Sequence, residues 1–445
     1  MLKAIRQVYL SNRFFWLFAG LIVVFAIGFP LPVVFILAKA LFVLVLALIF
    51  LDVFLLFGRK LKFQCQRQLP KLFNLGDQNT VRLRIQNLNS IQVKLKLVDE
   101  LPVQFQVRDF EQRLDLAPNA EKEVRYDLRP TRRGAYEFGR TNLFVVSPLG
   151  LIERRLAFNT EPMKIPVYPS VEQMKNMELL AFNRLTTQKG IKKIRRIGHS
   201  YEFEQIKNYV RGDDYRSINW KASSRKANLM VNQYQDERAQ QVYCFIDKSR
   251  VMRMPFAGLS LMDYAINSSL VISNIALQKY DKAGLITFSD KLGSTIKADS
   301  KPTQLNKILN ALYKEKERPL EANYELLYYA ARKLISGRSL ILLYTNFEST
   351  YALERALPVL RRINRMHLLV VVFFENTEIK AFAHDEAHDL EGIYHQTIAQ
   401  SFLAEKKQMV QKLKQYGIQG LYTSPEDLSV NTVNKYLELK SRGLI

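Results

Sequence analysis

The sequence predicts a multidomain protein made of a two-helix apolar hairpin, a small all-β sandwich and a doubly wound α/β domain. Three observations carry this. Residues 14–57 are almost continuously apolar, residues from Phe63 to Tyr168 show an apolar period of two, and after Val242 short apolar runs alternate with helical stretches. A chain of 445 residues, 48% apolar and 24% charged, is long enough for two or three domains that each bury a core. The boundaries read as 1–62 for the hairpin, 63–169 for the sandwich, 170–197 for a basic connector and 198–445 for the α/β domain with its leading segment.

The apolar run is too long for one membrane span and suits two, and Gly28, Pro30 and Pro32 break it near the middle. A cleaved signal peptide would end sooner and close on a small-residue pattern. Lys3, Arg6 and Arg13 precede the run, and Arg59, Lys60, Lys62 and Arg67 follow it. Basic flanks stay inside, so both termini and the soluble domains are expected on the cytoplasmic side of the inner membrane. Lys39 and Asp52 are expected close to the two ends of the hairpin, because a charge at the bilayer centre costs about 3 kcal/mol. Cys65 and Cys244 have no zinc-ligand spacing and suit a reducing compartment.

In the next segment Val81, Leu83 and Ile85 alternate with polar residues, Asn87 to Ser90 supply turn residues, and Val93, Leu95 and Leu97 alternate again. The pattern predicts a hairpin. Further strands are expected in KEVRYDLRP, GAYEFGR and NLFVVS. No catalytic constellation is present there, and a packing or interaction role is expected. The connector ends in Lys192, Lys193, Arg195 and Arg196, whose lack of interleaved aromatics favours a solvated face or anionic lipid over base stacking. The net charge of +23 attracts polyanions of any kind, but no zinc-finger, helix-turn-helix or RNP signature points to nucleic acid.

The α/β domain is expected to place strands at Val242–Ile246, Leu285–Phe288, Leu340–Tyr344, Leu368–Phe374 and Gly420–Tyr422, with crossover helices between them. Pro358 is expected to kink or delay one helix, and Ser424 to cap the last. Ligands of such folds lie beyond the carboxyl ends of the strands. Asp247, Ser249 and Asn346 stand there, offering the hard oxygen donors that Mg2+ takes. This arrangement resembles the von Willebrand factor A domain, whose metal site uses Asp-x-Ser-x-Ser on the first strand, a Thr from a middle loop and an Asp from a later strand. Asp247 and Ser249 match, whereas Val251, Ala322 and Asn346 stand in the other positions. The site is therefore expected to be degenerate and free of Mg2+, and no cofactor is expected. His384, His388 and His395, with Asp385 and Asp389, are expected to be solvated side chains.

The most distinctive stretch runs from Gly198 to Val231, with Arg211, Gly212, Asp213, Asp214, Arg216, Ile218, Trp220, Lys221 and Arg225 close together. It resembles the signature of the domain-of-unknown-function-58 family, a run that precedes a von Willebrand A-like fold. Arg133, Gly134 and Tyr136 are similar to that family's Arg-Gly-x-Tyr hairpin, and Ser147 to Leu151 to its Asp-Pro-x-Gly-Leu turn, with Ser147 in place of Asp. The resemblance implies a membrane-anchored bacterial companion of MoxR-type AAA+ ATPases, acting as a non-enzymatic scaffold in assembly or maturation of other complexes. In this reading the acids of the stretch pair with Arg211, Arg216 or Arg225, Trp220 anchors it, and its open face contacts a partner. The alternative is a hydrolase using Asp213 and Asp214, with His199, as acid and base. Adjacent residues of an extended chain point apart, so that pair needs a tight turn to share a proton.

Overall fold

The computed structural model describes residues 7–58, 61–147, 149–170, 174, 202–211, 213–226, 228–235, 239–385 and 389–444. Gly212, His199, His388 and the basic run from Lys192 to Arg196 lie outside them. The chain divides into two compact units, Met1–Tyr168 and Pro169–Ile445. The first holds an apolar helical region and a β-rich domain, and the second is mixed α/β.

In the first unit a short strand, β1 (Val8–Leu10), leads into helices α1 (Asn12–Gly28) and α2 (Pro32–Phe57). Pro32 stands at the start of α2, where a missing N–H costs nothing. Phe25 of α1 meets Phe35 and Phe42 of α2 edge-on, at 5.8 and 6.3 Å between ring centres. Among the described residues α2 alone, at 26 residues, is both long and apolar enough to cross a membrane, and α1 is a shorter apolar helix.

Asp52 stands in the last turns of α2, which ends at Phe57. It is 0% exposed, and it accepts hydrogen bonds from Ser147 Oγ at 2.5 Å, Leu151 N at 3.2 Å and Ile152 N at 3.1 Å. The same turn is held from the other side, since Ser11 Oγ donates to the Gly150 carbonyl and the Ser11 N–H to that of Leu151. A buried carboxylate needs such donors, and here a turn of the β-rich domain supplies them.

That domain contains β2 (Phe63–Gln68), β3 (Phe73–Asn74), β4 (Asn79–Asn87), β5 (Val93–Asp99), β6 (Glu111–Leu116), β7 (Glu121–Leu128), β8 (Gly134–Phe138), β9 (Thr141–Val146), β10 (Ile152–Phe158) and β11 (Met163–Tyr168). They form sheets of order β1-β10-β9-β5-β6, β2-β4-β7 and β3-β11-β8. Leu83 and Ile85 of β4 share one core with Leu95 and Leu97 of β5 and Leu143 and Val145 of β9. The expected hairpin between β4 and β5 is absent: the two strands alternate as read, but each belongs to a different sheet. Asn87 Nδ2 donates to the carbonyls of Ile91 and Ala117, so the connection is a polar corner between layers. Likewise β8 pairs with β11 and not with β9, which follows it. Arg67 and Asp99 form a buried ion pair between the layers, with Thr141 Oγ1 and Tyr126 OH also donating to Asp99.

The first strands described in the second unit form a two-stranded antiparallel ribbon, β12 (Glu202–Asn208) and β13 (Met230–Gln235). The chain between them forms a 3-10 turn at Tyr215–Ser217 and helix α3 (Trp220–Lys226). There follow β14 (Gln241–Asp247), a ribbon of β15 (Pro255–Phe256) and β16 (Leu259–Ser260), α4 (Leu261–Gln278), β17 (Lys282–Phe288), β18 (Leu292–Asp299), α5 (Gln304–Lys314) and α6 (Tyr324–Leu334). The chain continues through β19 (Leu340–Tyr344), α7 (Thr350–Met366), β20 (Leu368–Phe374), α8 (Thr377–His384), α9 (Leu390–Gln415), β21 (Gln419–Thr423) and α10 (Leu428–Ser441).

The main sheet has the order β18-β17-β14-β19-β20-β21, and only β18 runs antiparallel. Cys244, Leu342 and Val370 pack against α4, α5 and α10 on one face. Phe245, Leu343 and Val371 pack against α6, α7 and α9 on the other. Strands buried on both faces explain the unbroken apolar runs of the sequence. Helix α7 passes through Pro358 without ending, and α10 starts at Leu428, after the turn that Ser424 opens. Because β14 has β17 on one side and β19 on the other, the crossovers diverge at its carboxyl end, which opens the crevice where such folds hold ligands.

Candidate functional site

Asp247 ends β14 inside that crevice and is fully buried. Its Oδ1 accepts from the Ser249 N–H at 2.8 Å and its Oδ2 from Thr345 Oγ1 at 2.7 Å. Thr345 spends its proton on Asp247, so the Tyr324 hydroxyl, 2.9 Å away, donates to it in turn. Burial pushes the Asp247 carboxyl above the usual range, opposed by the hydrogen bonds from Ser249 and Thr345. Burial and the nearby Asp247 carboxylate push the Tyr324 phenol up as well.

The crevice is walled by other parts of the chain. The backbone N–H of Arg250 bonds the Leu320 carbonyl, and that of Arg318 bonds Lys248. Beneath this loop Lys248 Nζ pairs with Glu315 at 2.7 Å, and Glu315 also accepts from Thr287 Oγ1 at 2.8 Å. Burial alone would raise the Glu315 carboxyl, but Lys248, Ser294 and Thr287 hold it below the usual range. Above lie exposed ion pairs, Arg250 with Glu321 and Glu348, and Arg355 with Glu321.

Asn346 follows Thr345, and its buried amide oxygen has no hydrogen-bond partner among the described residues. It lines a cavity of about 70 Å³ together with Phe374, Glu375, Phe402 and Lys406. Lys406 is only 3% exposed and donates to the carbonyls of Phe347 and Glu348. Burial lowers its amine to about 8.

The donor set does not fit a divalent cation. Of Asp247, Ser249 and Asn346 only Asp247 is a carboxylate, both of its oxygens already accept protein donors, Asn346 offers a neutral carbonyl, and the cavity beside Asn346 sets the Lys406 ammonium against Glu375 and Glu378. Sequence reading found Asp247, Ser249 and Asn346 from their position at strand ends. It missed Tyr324 and Lys406, which come from α6 and α9 and carry no local signal.

The signature residues gather elsewhere, in the 209–229 connection that caps the β12–β13 ribbon. Asp213 accepts from Lys207 Nζ at 2.8 Å and from the Val210 N–H at 3.0 Å, which together hold its carboxyl below the usual range. Its partner is Lys207, not one of the arginines expected. Asp214 caps the 3-10 turn by accepting from the Arg216 N–H at 3.0 Å. The two carboxylates therefore serve different ends of one turn. Trp220 is 70% exposed at the start of α3, and does not anchor the segment. Met230 and Val231 of β13 are the buried side chains beside it, at 4% and 3% exposed. The Arg216 guanidinium lies over the Tyr215 ring, 5.6 Å from its centre. Arg225 is exposed in the last turn of α3. His384 Nδ1 bonds the Lys380 carbonyl, and Asp389 caps α9.

A mixed α/β unit led by this ribbon is the class that the geometry defines. Residues 205–380 match the family described as "Protein of unknown function DUF58". The chain is also 25% identical over 125 residues to "Uncharacterized protein YeaD" of Bacillus subtilis (strain 168), a stretch that spans 28% of this chain and 30% of that relative. Among solved structures, the CARDB domain of the PF1109 protein from Pyrococcus furiosus is 15% identical, covering 24% of this chain and 88% of its own, with a TM-score of 0.19. Alpha-2-macroglobulin from Escherichia coli is 20% identical, covering 24% of this chain and 17% of its own, also at 0.19.

Proposed function

We propose that the protein is a membrane-anchored, non-enzymatic scaffold or adaptor that presents a von Willebrand A-like domain to a MoxR-type AAA+ ATPase and to client proteins, assisting assembly or maturation of other complexes. The apolar helices form a two-pass hairpin, and the termini and soluble domains lie on the cytoplasmic side. The observation that carries this reading is the crevice at Asp247. In a fold that normally takes its ligand there, the carboxylate is instead closed by Ser249, Thr345 and Tyr324, which leaves the outer surface for recognition. The doubly wound order, with Asp247 and Ser249 at the end of the first strand, supports the von Willebrand A-like assignment. The separate engagements of Asp213, which accepts from Lys207 and Val210, and of Asp214, which accepts from Arg216, favour a scaffold over the alternative hydrolase.

Affinity purification of the tagged full chain from a mild-detergent extract of its own cells tests the proposal. An AAA+ ATPase should be recovered in stoichiometric amount, with recovery changing between ATP and ADP. Repeated recovery of the intact chain without any such ATPase would overturn it.

A further inference from the structure

The cap of the β12–β13 ribbon exposes side chains that a stable surface normally buries. Trp220, Tyr215 and Val210 are each more than half exposed, and Leu229 nearly so. Backbone pairing brings them to one end of the ribbon: the Tyr209 N–H bonds the Leu229 carbonyl, and the Asn219 N–H bonds that of Met230. Around them Arg211, Lys221, Arg225 and Lys226 are exposed and form no ion pair among the described residues. Large apolar tips set among unpaired cations mark a surface that is covered by something negative and partly apolar.

We infer that this cap docks on an anionic phospholipid surface, with Trp220 and Tyr215 seated at the level of the headgroups and the cations on lipid phosphates. Tryptophan and tyrosine favour that interface, and Lys and Arg beside them add attraction to anionic lipid. Charge complementarity selects the occupant, and the tether raises its local concentration, since the same polypeptide carries a helix able to cross a membrane. The inference rests on the membrane anchoring proposed above and adds a second, electrostatic contact to it.

The chain has two tryptophans, so Trp16→Phe in the full chain leaves Trp220 as the sole reporter. The protein is placed in nanodiscs of phosphatidylcholine with and without phosphatidylglycerol, using acyl chains brominated near the headgroup. Trp220 emission should shift to the blue and be quenched only with phosphatidylglycerol, and salt should reverse both. Replacing Arg225 or Lys226 with Gln should weaken the lipid contact about fivefold each. Incorporation into the discs with Trp220 emission unaffected by phosphatidylglycerol would refute the docking and leave the anchor standing. A shift produced by added polyglutamate and not by lipid would assign the cap to an acidic protein and equally refute it. Failure to incorporate at all would remove anchor and docking together.

Discussion

Trp220 and Asp52 reverse the roles their residue types suggest. An indole is usually an anchor and a carboxylate a surface group, yet here the indole is exposed and the carboxylate is enclosed. Trp220→Ala should therefore change stability by no more than about 0.5 kcal/mol, read from urea unfolding of the full chain in detergent. Asp52→Ala strands three buried donors and should cost about 3 kcal/mol in the same measurement. Lys406 gives a pH test. Its folded amine titrates near 8, below the ordinary value of 10.5, so the penalty for burying its charge is fully present below pH 8. Between pH 8 and about 10.4 the unfolded chain binds more protons, and stability rises with pH. The stability of the native chain relative to Lys406→Met should climb by on the order of 3 kcal/mol across that window. A flat difference would mean that the amine is already neutral or well solvated.

At the scale of elements, periodicity reported faces faithfully and partners poorly. Leu83, Ile85, Leu95 and Leu97 were legible as inward-facing residues, but the alternation is the same whether β4 and β5 pair side by side or face each other across a core. The central strands of the α/β unit were legible because burial on both faces leaves an unbroken apolar run. Edge strand β18 was not, since its mixed exposure leaves no such run. Asp247 and Ser249 could be placed at a strand end from sequence, whereas Tyr324 and Lys406 reach the crevice only through the packing of α6 and α9. Thr345 is the element that joins β14 to β19 there. Thr345→Val keeps the shape, removes a donor from Asp247 and leaves the Tyr324 hydroxyl unmatched, so a loss of about 2 kcal/mol is expected by denaturant unfolding.

For the whole molecule, the apolar helical region and the +23 charge predict two separable kinds of membrane attachment. Alkaline carbonate strips proteins held by charge and spares those held by a span. The native chain should stay with the membrane pellet, and replacing the cations of the ribbon cap should leave that result unchanged. Release of the native chain into the supernatant would count against a span.

The turn that encloses Asp52 also imposes an order on synthesis. The residues that donate to this carboxylate, Ser147, Leu149, Leu151 and Ile152, are translated long after α2. Until they emerge, α2 carries an acid without its hydrogen-bond donors. Enclosure of this acid therefore waits on the β-rich domain being complete through Ile152.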